Sequence, residues 1–163
     1  MSFTIRPLRE DEAALYRDIR LEGLRLHPES FGSAFEQESL EPLSFFATRV
    51  AAGVFGGFRD GALLGVAGFQ REAGLKRAHK AHLWGMYVRS AARGTGLARM
   101  IVEAVLDHAR GQVELVQLSV TEGNIPARRL YEALGFVPYG VEYHALRVDG
   151  RDFDETHMVK LLV

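Results

Sequence analysis

The stretch RGTGLARMIVEAVLDHAR, residues 93–110, opens with two glycines one residue apart and continues as an amphipathic helix. Glycine is about 1 kcal/mol poorer than alanine in a helical position, so a glycine pair at a helix start calls for a reason. The turn VRSAARGTGLA follows an apolar run that reads as a strand, and at such a junction free backbone N–H groups and the helix dipole converge into an anion site. Gly94 and Gly96 permit positive φ and close approach of a ligand to the backbone. A phosphate group is the expected ligand, and a pyrophosphate would engage several N–H donors at once, with Arg93 adding charge at the rim. A structural turn that packs the helix tightly on a sheet is the alternative that the glycines by themselves leave open. Two better-known phosphate turns are excluded: Gly96 is followed by Leu97 rather than by Lys and Ser or Thr, and Arg99 stands where a dinucleotide turn needs its third glycine.

Working outward from this helix, AHLWGMYV before it reads as a strand ending at Val88, and VELVQLSV (113–120) after it as a nearly continuous apolar strand covered on both faces. IPARRLYEALGF is a helix with Pro126 in its first turn and Gly135 past its end. Toward the N-terminus, Asp60-Gly61 signals a hairpin between two apolar runs, LSFFATRVAAG a short helix, and PESFGSAFEQESLEP (28–42) a loop broken by a turn or two of helix. FTIRPL (3–8) reads as a short strand, and REDEAALYRDIRLEGLRLH as a helix with Ala14, Ile19, Leu21, Leu24 and Leu26 near helical spacing. The C-terminal VEYHALRVDGRDFDETHMVKLLV is a final hairpin around Asp149-Gly150. The order β, α, α, β, β, β, α, β, α, β, β combines an antiparallel front half with a βαβ-like middle. The predicted class is α+β, or mixed α/β, with about seven strands and helices on both faces.

At 163 residues and 47% hydrophobic composition the chain fits one domain with an ample core, and residues 1–163 read as a single unit without repeat or linker. Twenty basic and twenty-one acidic residues leave a net charge of −1, which gives no argument for nucleic acid or an anionic membrane as a partner. Any anion site must be local. There is no cysteine, which removes thiolate nucleophiles and cysteine metal sites and is compatible with a reducing cytoplasm. The start MSFTIRPLREDE carries charges where a signal peptide would have an apolar core, and no apolar run nears the ~18 residues of a membrane span, so a soluble cytoplasmic protein is expected.

A second motif lies about 30 residues beyond the glycine turn. NIPARRLYEALGF places Asn124, Ala127, Leu130, Tyr131, Leu134 and Gly135-Phe136 in the pattern N-x-x-A-x-x-L-Y-x-x-L-G-F. With both motifs in this order, the chain resembles the GNAT superfamily of acyl-CoA-dependent N-acyltransferases. The specific part of the resemblance runs from about Leu83 to Phe136, and the order of elements extends it over nearly the whole chain.

The resemblance implies a role for each matching position. The strand before the glycine turn would carry a bulge and splay from its neighbour, leaving backbone groups of Met86 and Val88 free to pair with the pantetheine arm. The N–H groups of Gly94, Thr95, Gly96, Leu97 and Ala98 would cap the pyrophosphate of acetyl-CoA, assisted by Arg93. Ala91 stands where relatives often have Gln or Arg, so one polar contact is absent. Asn124 would sit beside the pantetheine, and Tyr131 would face the cofactor sulfur. A phenol with pKa about 10 is a fair proton donor to a departing thiolate. Leu130, Leu134 and Phe136 read simply as a helix stripe and its hydrophobic stop.

The acceptor is expected to be a small-molecule or peptide primary amine, and it must lose a proton before or during attack. His82 best matches the position where relatives often carry a glutamate, and a histidine titrates in the right range; a solvated basic hairpin edge is the competing reading of KRAHKAHL. Glu36 and Glu38, in the loop that commonly walls the acceptor site, are candidate substrate-binding carboxylates. Tyr143, His144 and His157 lie on the final strands and are left unranked. No metal is expected, since the six histidines show no helix pair H-x-x-x-H. A homodimer through the C-terminal strands is common in relatives. An acyl-CoA sensor without turnover, a longer acyl donor, and a nucleotide-phosphate binder are the alternatives.

Overall fold

The computed structural model describes residues 2–162. Strands β1 (Thr4–Pro7), β2 (Val54–Arg59), β3 (Ala62–Arg71), β4 (Lys80–Val88), β5 (Leu115–Thr121), β6 (Val137–Val148) and β7 (Arg151–Leu161) form one sheet in the order β1-β2-β3-β4-β5-β7-β6. Among the described residues the β4–β5 strand pair alone is parallel. Helices α1 (Ala13–Leu26), α2 (Phe35–Glu38) and α3 (Leu43–Gly53) come before β2, α4 (Leu97–Ala109) lies between β4 and β5, and α5 (Ile125–Ala133) follows β5. The mixed α+β class with seven strands is therefore the observed one. Among the described residues no helix is long and apolar enough to cross a membrane.

Two apolar layers sandwich the sheet. On one face α4 buries Leu97, Ile101, Val102, Val105 and Leu106 with Val116, Leu118, Val120 and Met158 of β5 and β7, and Tyr131 of α5 joins them. Each such side chain contributes about 1.5–3 kcal/mol on burial, so this layer holds α4 firmly. Gly57 and Gly65 on β2 and β3 allow the close fit, because a Cβ at either would lie 2.5 Å from Leu97 Cδ1 or 2.8 Å from Ile101 Cδ1. On the other face α1 and α3 pack Tyr16, Ile19, Leu24, Phe46 and Val50 on Val54, Phe58, Leu63 and Val66.

The face of α1 differs from the spacing read in the sequence. Ala14 and Leu26 are exposed and Leu21 is half-buried, while Ala13, Tyr16, Arg20 and Gly23 join Ile19 and Leu24 in the interior. A purely apolar count misses this face because it contains an arginine, which is buried only through its partner Glu38. Helix α4 likewise begins at Leu97 rather than Thr95, since Gly96 takes φ +86° as its N-cap. Both hairpin tips match the sequence, with Asp60-Gly61 at φ 52° and 79° and Asp149-Gly150 at φ 50° and 77°, as type I′ turns require.

Two irregularities in β4 position the site. Its register against β3 shifts between the Val66–Tyr87 and Gly68–Trp84 pairs, so Gly85 and Met86 face the single residue Ala67 as a bulge, with Gly85 at φ +62°. Its pairing with β5 holds only through Lys80–Leu115, Ala81–Val116 and His82–Gln117. Beyond these pairs the two strands part, and the gap opens toward the start of α4.

Candidate active site

A cleft of about 850 Å³ occupies this opening. One wall is Met86 and Val88 of β4 with the turn Arg93–Gly96, and the opposite wall is Asn124, Ala127 and Tyr131 of α5. Thr121 of β5, Phe153 of β7 and the loop His27–Phe31 close the remaining side.

The turn carries the decisive feature. Among the described residues no carbonyl makes a close hydrogen bond with the N–H of residues 94 to 99; the first such bond of the helix is Met100 N–H to the Gly96 carbonyl, 3.1 Å. These six consecutive donors lie at the positive end of a 13-residue helix. Gly94 takes φ +74° and Gly96 +86°, and a Cβ at either position would meet nothing within 4 Å. Positive φ selects the glycines, and the empty space in front of them is where a phosphate fits. A diphosphate needs several convergent donors and little side-chain bulk, and this turn supplies both.

Around the turn, Arg93 donates from Nε to the Val88 carbonyl at 3.3 Å, and its Nη2 lies 2.9 Å from His27 Nε2. Its charge is thereby held at the rim. The Thr95 hydroxyl turns back onto the Ala92 carbonyl, so this residue offers its amide rather than its side chain. Leu97 is buried in the core and contributes only backbone, as does Ala98.

Across the cleft, Asn124 is the N-cap of α5, its Oδ1 accepting from Ala127 N–H at 3.4 Å. A capping side chain of this kind is worth about 1 kcal/mol to the helix, and it accounts for the residue without any ligand. Tyr131 is 5% exposed, packs edge-on against Phe136 and reaches the cleft. Burial pushes its phenol above the ordinary value, so it stays protonated at neutral pH.

The remaining sequence candidates lie elsewhere. His82 sits outside the cleft beside Glu72, its Nε2 3.8 Å from that carboxylate, which Arg77 and Lys80 also approach. Glu38 is 5% exposed and enclosed by two arginine forks, with bonds of 3.1 Å and 3.1 Å from Arg20 and 2.9 Å and 3.1 Å from Arg49. Burial raises its pKa, but the arginine hydrogen bonds outweigh that and hold it below the ordinary carboxylate value. This carboxylate anchors α2 to α1 and α3, leaving it no open face for an amine. Glu36 lines a second cavity of about 610 Å³, between residues 32–36 and the tip of the β6–β7 hairpin. Tyr143 is 75% exposed, and His144 pairs with Asp152 at 2.8 Å near that tip. Among the described residues no cluster of three metal-ligating side chains occurs.

With this geometry in view, comparison with known proteins gives a consistent result. The model of the acetyltransferase (GNAT) family matches residues 19–136. The chain belongs to the GNAT acetyltransferase family. It is 31% identical over 120 residues to N-alpha-acetyltransferase RimI of Mycobacterium tuberculosis, covering 74% of this chain and 69% of that protein. It is also 37% identical over 95 residues to a mycothiol acetyltransferase of Thermomonospora curvata, covering 56% of this chain but only 30% of that longer protein. Among solved structures, a GNAT acetyltransferase from Streptococcus pneumoniae superposes with a TM-score of 0.86 at 19% identity, covering 98% of this chain and 99% of that one. The putative acetyltransferase yncA of Salmonella typhimurium, solved with its cofactor acetyl-CoA, gives 0.83 at 21% identity over 100% and 95% of the two chains. The fold of this chain is shared by both solved structures.

Sequence reasoning missed His27, Thr121 and Phe153 as cleft residues. His27 ends α1 and Phe153 lies on the last strand, so only the tertiary return of the chain brings them to the turn.

Proposed function

We propose that this chain is an N-acetyltransferase that moves the acetyl group of acetyl-CoA to a primary amine by direct attack in a ternary complex. The observation that carries this reading is the row of unpartnered amides at residues 94–99 at the mouth of the β4–β5 opening. The diphosphate docks on those amides, and the pantetheine arm runs along the splayed edge of β4 past Val88 and Met86. The acyl end then reaches the bulge at Gly85 and Met86, with the Tyr131 phenol on the far wall.

In this arrangement the thioester is exposed to an amine arriving from the side of Thr121, Phe153 and the loop His27–Phe31. Holding both reactants in one cleft removes the entropic part of the barrier. Backbone N–H groups of the bulge polarise the carbonyl. The Tyr131 phenol on the far wall donates to the sulfur as the C–S bond breaks. The likeness to RimI supports an α-amine on a small molecule or a peptide as the acceptor.

Calorimetric titration with acetyl-CoA, followed by a thiol-release assay over a panel of primary amines and peptides, tests the reading. Saturable binding together with thiol release that depends on an amine supports it. Binding without release for any amine leaves an acyl-CoA sensor, and competition by ATP equal to that by CoA leaves a general phosphate binder.

A further inference from the structure

Acetyl transfer requires a group to take the acceptor's proton, and a hydrogen-bonded chain on the helix-free face of β5, β7 and β6 has the chemistry to do it. Ser119 Oγ lies 2.7 Å from His157 Nδ1, and His157 Nε2 lies 3.2 Å from Glu142 Oε1. Glu142 is an acceptor when ionised, so Nε2 carries the imidazole proton and Nδ1 presents its lone pair to the Ser119 hydroxyl. Tyr139 stacks on the ring at 5.9 Å and accepts from Gln117 Nε2 at 3.3 Å, which fixes the plane of the imidazole.

The position of this chain follows from the register. Parallel pairing of β4 and β5 ends at His82–Gln117, and side chains alternate along β5. Ser119 is therefore the first side chain on this face beyond the last pair, exposed and one step short of the cleft lining. The next one, Thr121, lines the cleft. Ser119 pairs with His157 across β5 and β7, Thr121 pairs with Glu155, and Phe153 lines the cleft two residues before Glu155.

We propose, on the basis of the acetyl transfer argued above, that Ser119, His157 and Glu142 form the path along which the acceptor amine gives up its proton. The ammonium N–H proton passes to Ser119 Oγ as the serine's own proton moves to His157 Nδ1. The freed nitrogen lone pair forms the new C–N bond to the acetyl carbon, the C–S bond breaks, and the thiolate takes the proton of Tyr131. A second nitrogen proton leaves through solvent and returns the phenol to its resting state, the third stays on the amide product, and the imidazolium discharges to solvent. Ser119 touches the amine; His157 and Glu142 are positioning residues that act through it.

The charged and titratable groups facing His157 are Glu142 and Tyr139 on β6 and Glu155 on its own strand. Glu155 stands directly opposite Glu142, and like charges so placed repel unless a cation joins them. Burial, and then the Glu142 charge, raise the Glu155 carboxyl above its ordinary pKa. A cationic amine at the cleft relieves that repulsion, so the same face both attracts the ammonium and accepts its proton.

The test compares Ser119→Ala, His157→Gln, their double variant and Glu142→Gln with the best acceptor of the amine panel, over about pH 5.5–9.5, with calorimetric acetyl-CoA affinity alongside. Each of the first two lowers kcat/KM for the acceptor by about 100-fold, and the double variant falls no more than about threefold below the worse single one. The acidic limb of the pH profile disappears in His157→Gln, while acetyl-CoA affinity stays within about twofold of wild type. Ser119 is exposed, so its truncation leaves the fold intact. Single variants within about twofold of wild type with unchanged pH profiles, or losses that multiply in the double variant, overturn the relay and leave acetyl transfer standing. A wild-type protein that binds acetyl-CoA and acetylates no amine overturns both.

Discussion

Gly96→Asp separates cofactor recognition from folding more sharply than any other change at the site. Gly96 sits at φ +86° with nothing within 4 Å of an added Cβ. The folded protein therefore loses only the left-handed penalty, about 1 kcal/mol, which lowers Tm by about 2–4 °C. The ligand meets a different cost. A carboxylate in the row of amides stands about 4 Å from a phosphate, and two unit charges at that separation repel by about 4 kcal/mol at an effective dielectric of 20. Solvent at the cleft mouth reduces this to about 3 kcal/mol, still more than a hundredfold in Kd. Thermal melts with and without acetyl-CoA read both terms. At about 100 times its Kd the ligand stabilises the wild type by about 2.7 kcal/mol, or about 5–11 °C, whereas the variant gains only about 0.3 kcal/mol, or about 1 °C. A calorimetric Kd within threefold of wild type would refute the assignment of the glycine turn.

Three further outcomes follow from the same structure. Tyr131→Phe removes the proposed proton donor but keeps the packing on Phe136, so kcat falls at least about tenfold while the KM for acetyl-CoA stays within about threefold; equal loss in both contradicts the role. Glu38→Ala leaves Arg20 buried without its carboxylate and costs about 3–5 kcal/mol, seen in urea unfolding, and a loss under about 1 kcal/mol would contradict the anchoring role. Glu12, which accepts from Arg6 at 2.8 and 2.9 Å, has its pKa lowered to about 2 in the fold, against 4.5 for the free side chain. Its contribution, on the order of 2–3 kcal/mol, is full above about pH 4.5 and lost as pH falls toward 2, so the Tm gap between wild type and Glu12→Gln closes over that window.

The parts of this fold that were legible in sequence are those with local causes. Asp60-Gly61 and Asp149-Gly150 announced their turns because only residues tolerant of positive φ fit there, and Pro126 and Gly135 bracketed α5 by the same kind of rule. The glycine turn and the Asn124–Phe136 segment that contains α5 were legible as a pair of motifs. What escaped was set by tertiary partners. Arg20 lies inside only because Glu38 and Arg49 meet it there, so the face of α1 could not be read from apolar spacing. Glu38 reads in sequence as a candidate acceptor carboxylate, because the two arginine forks that enclose it are tertiary. In sequence His157 stands unranked beside Tyr143 and His144. Strand pairing placed Ser119 on one side of it and Glu142 on the other, 38 and 15 residues away in the chain.

The central claim is that the main chain from residue 94 to residue 98 holds the diphosphate of acetyl-CoA, and a crystal structure of the complex tests it most directly. The account predicts phosphate oxygens within about 3.2 Å of those N–H groups, with the pantetheine lying along Val88 and Met86. A diphosphate bound elsewhere, with the amides of the turn facing only solvent, would contradict it.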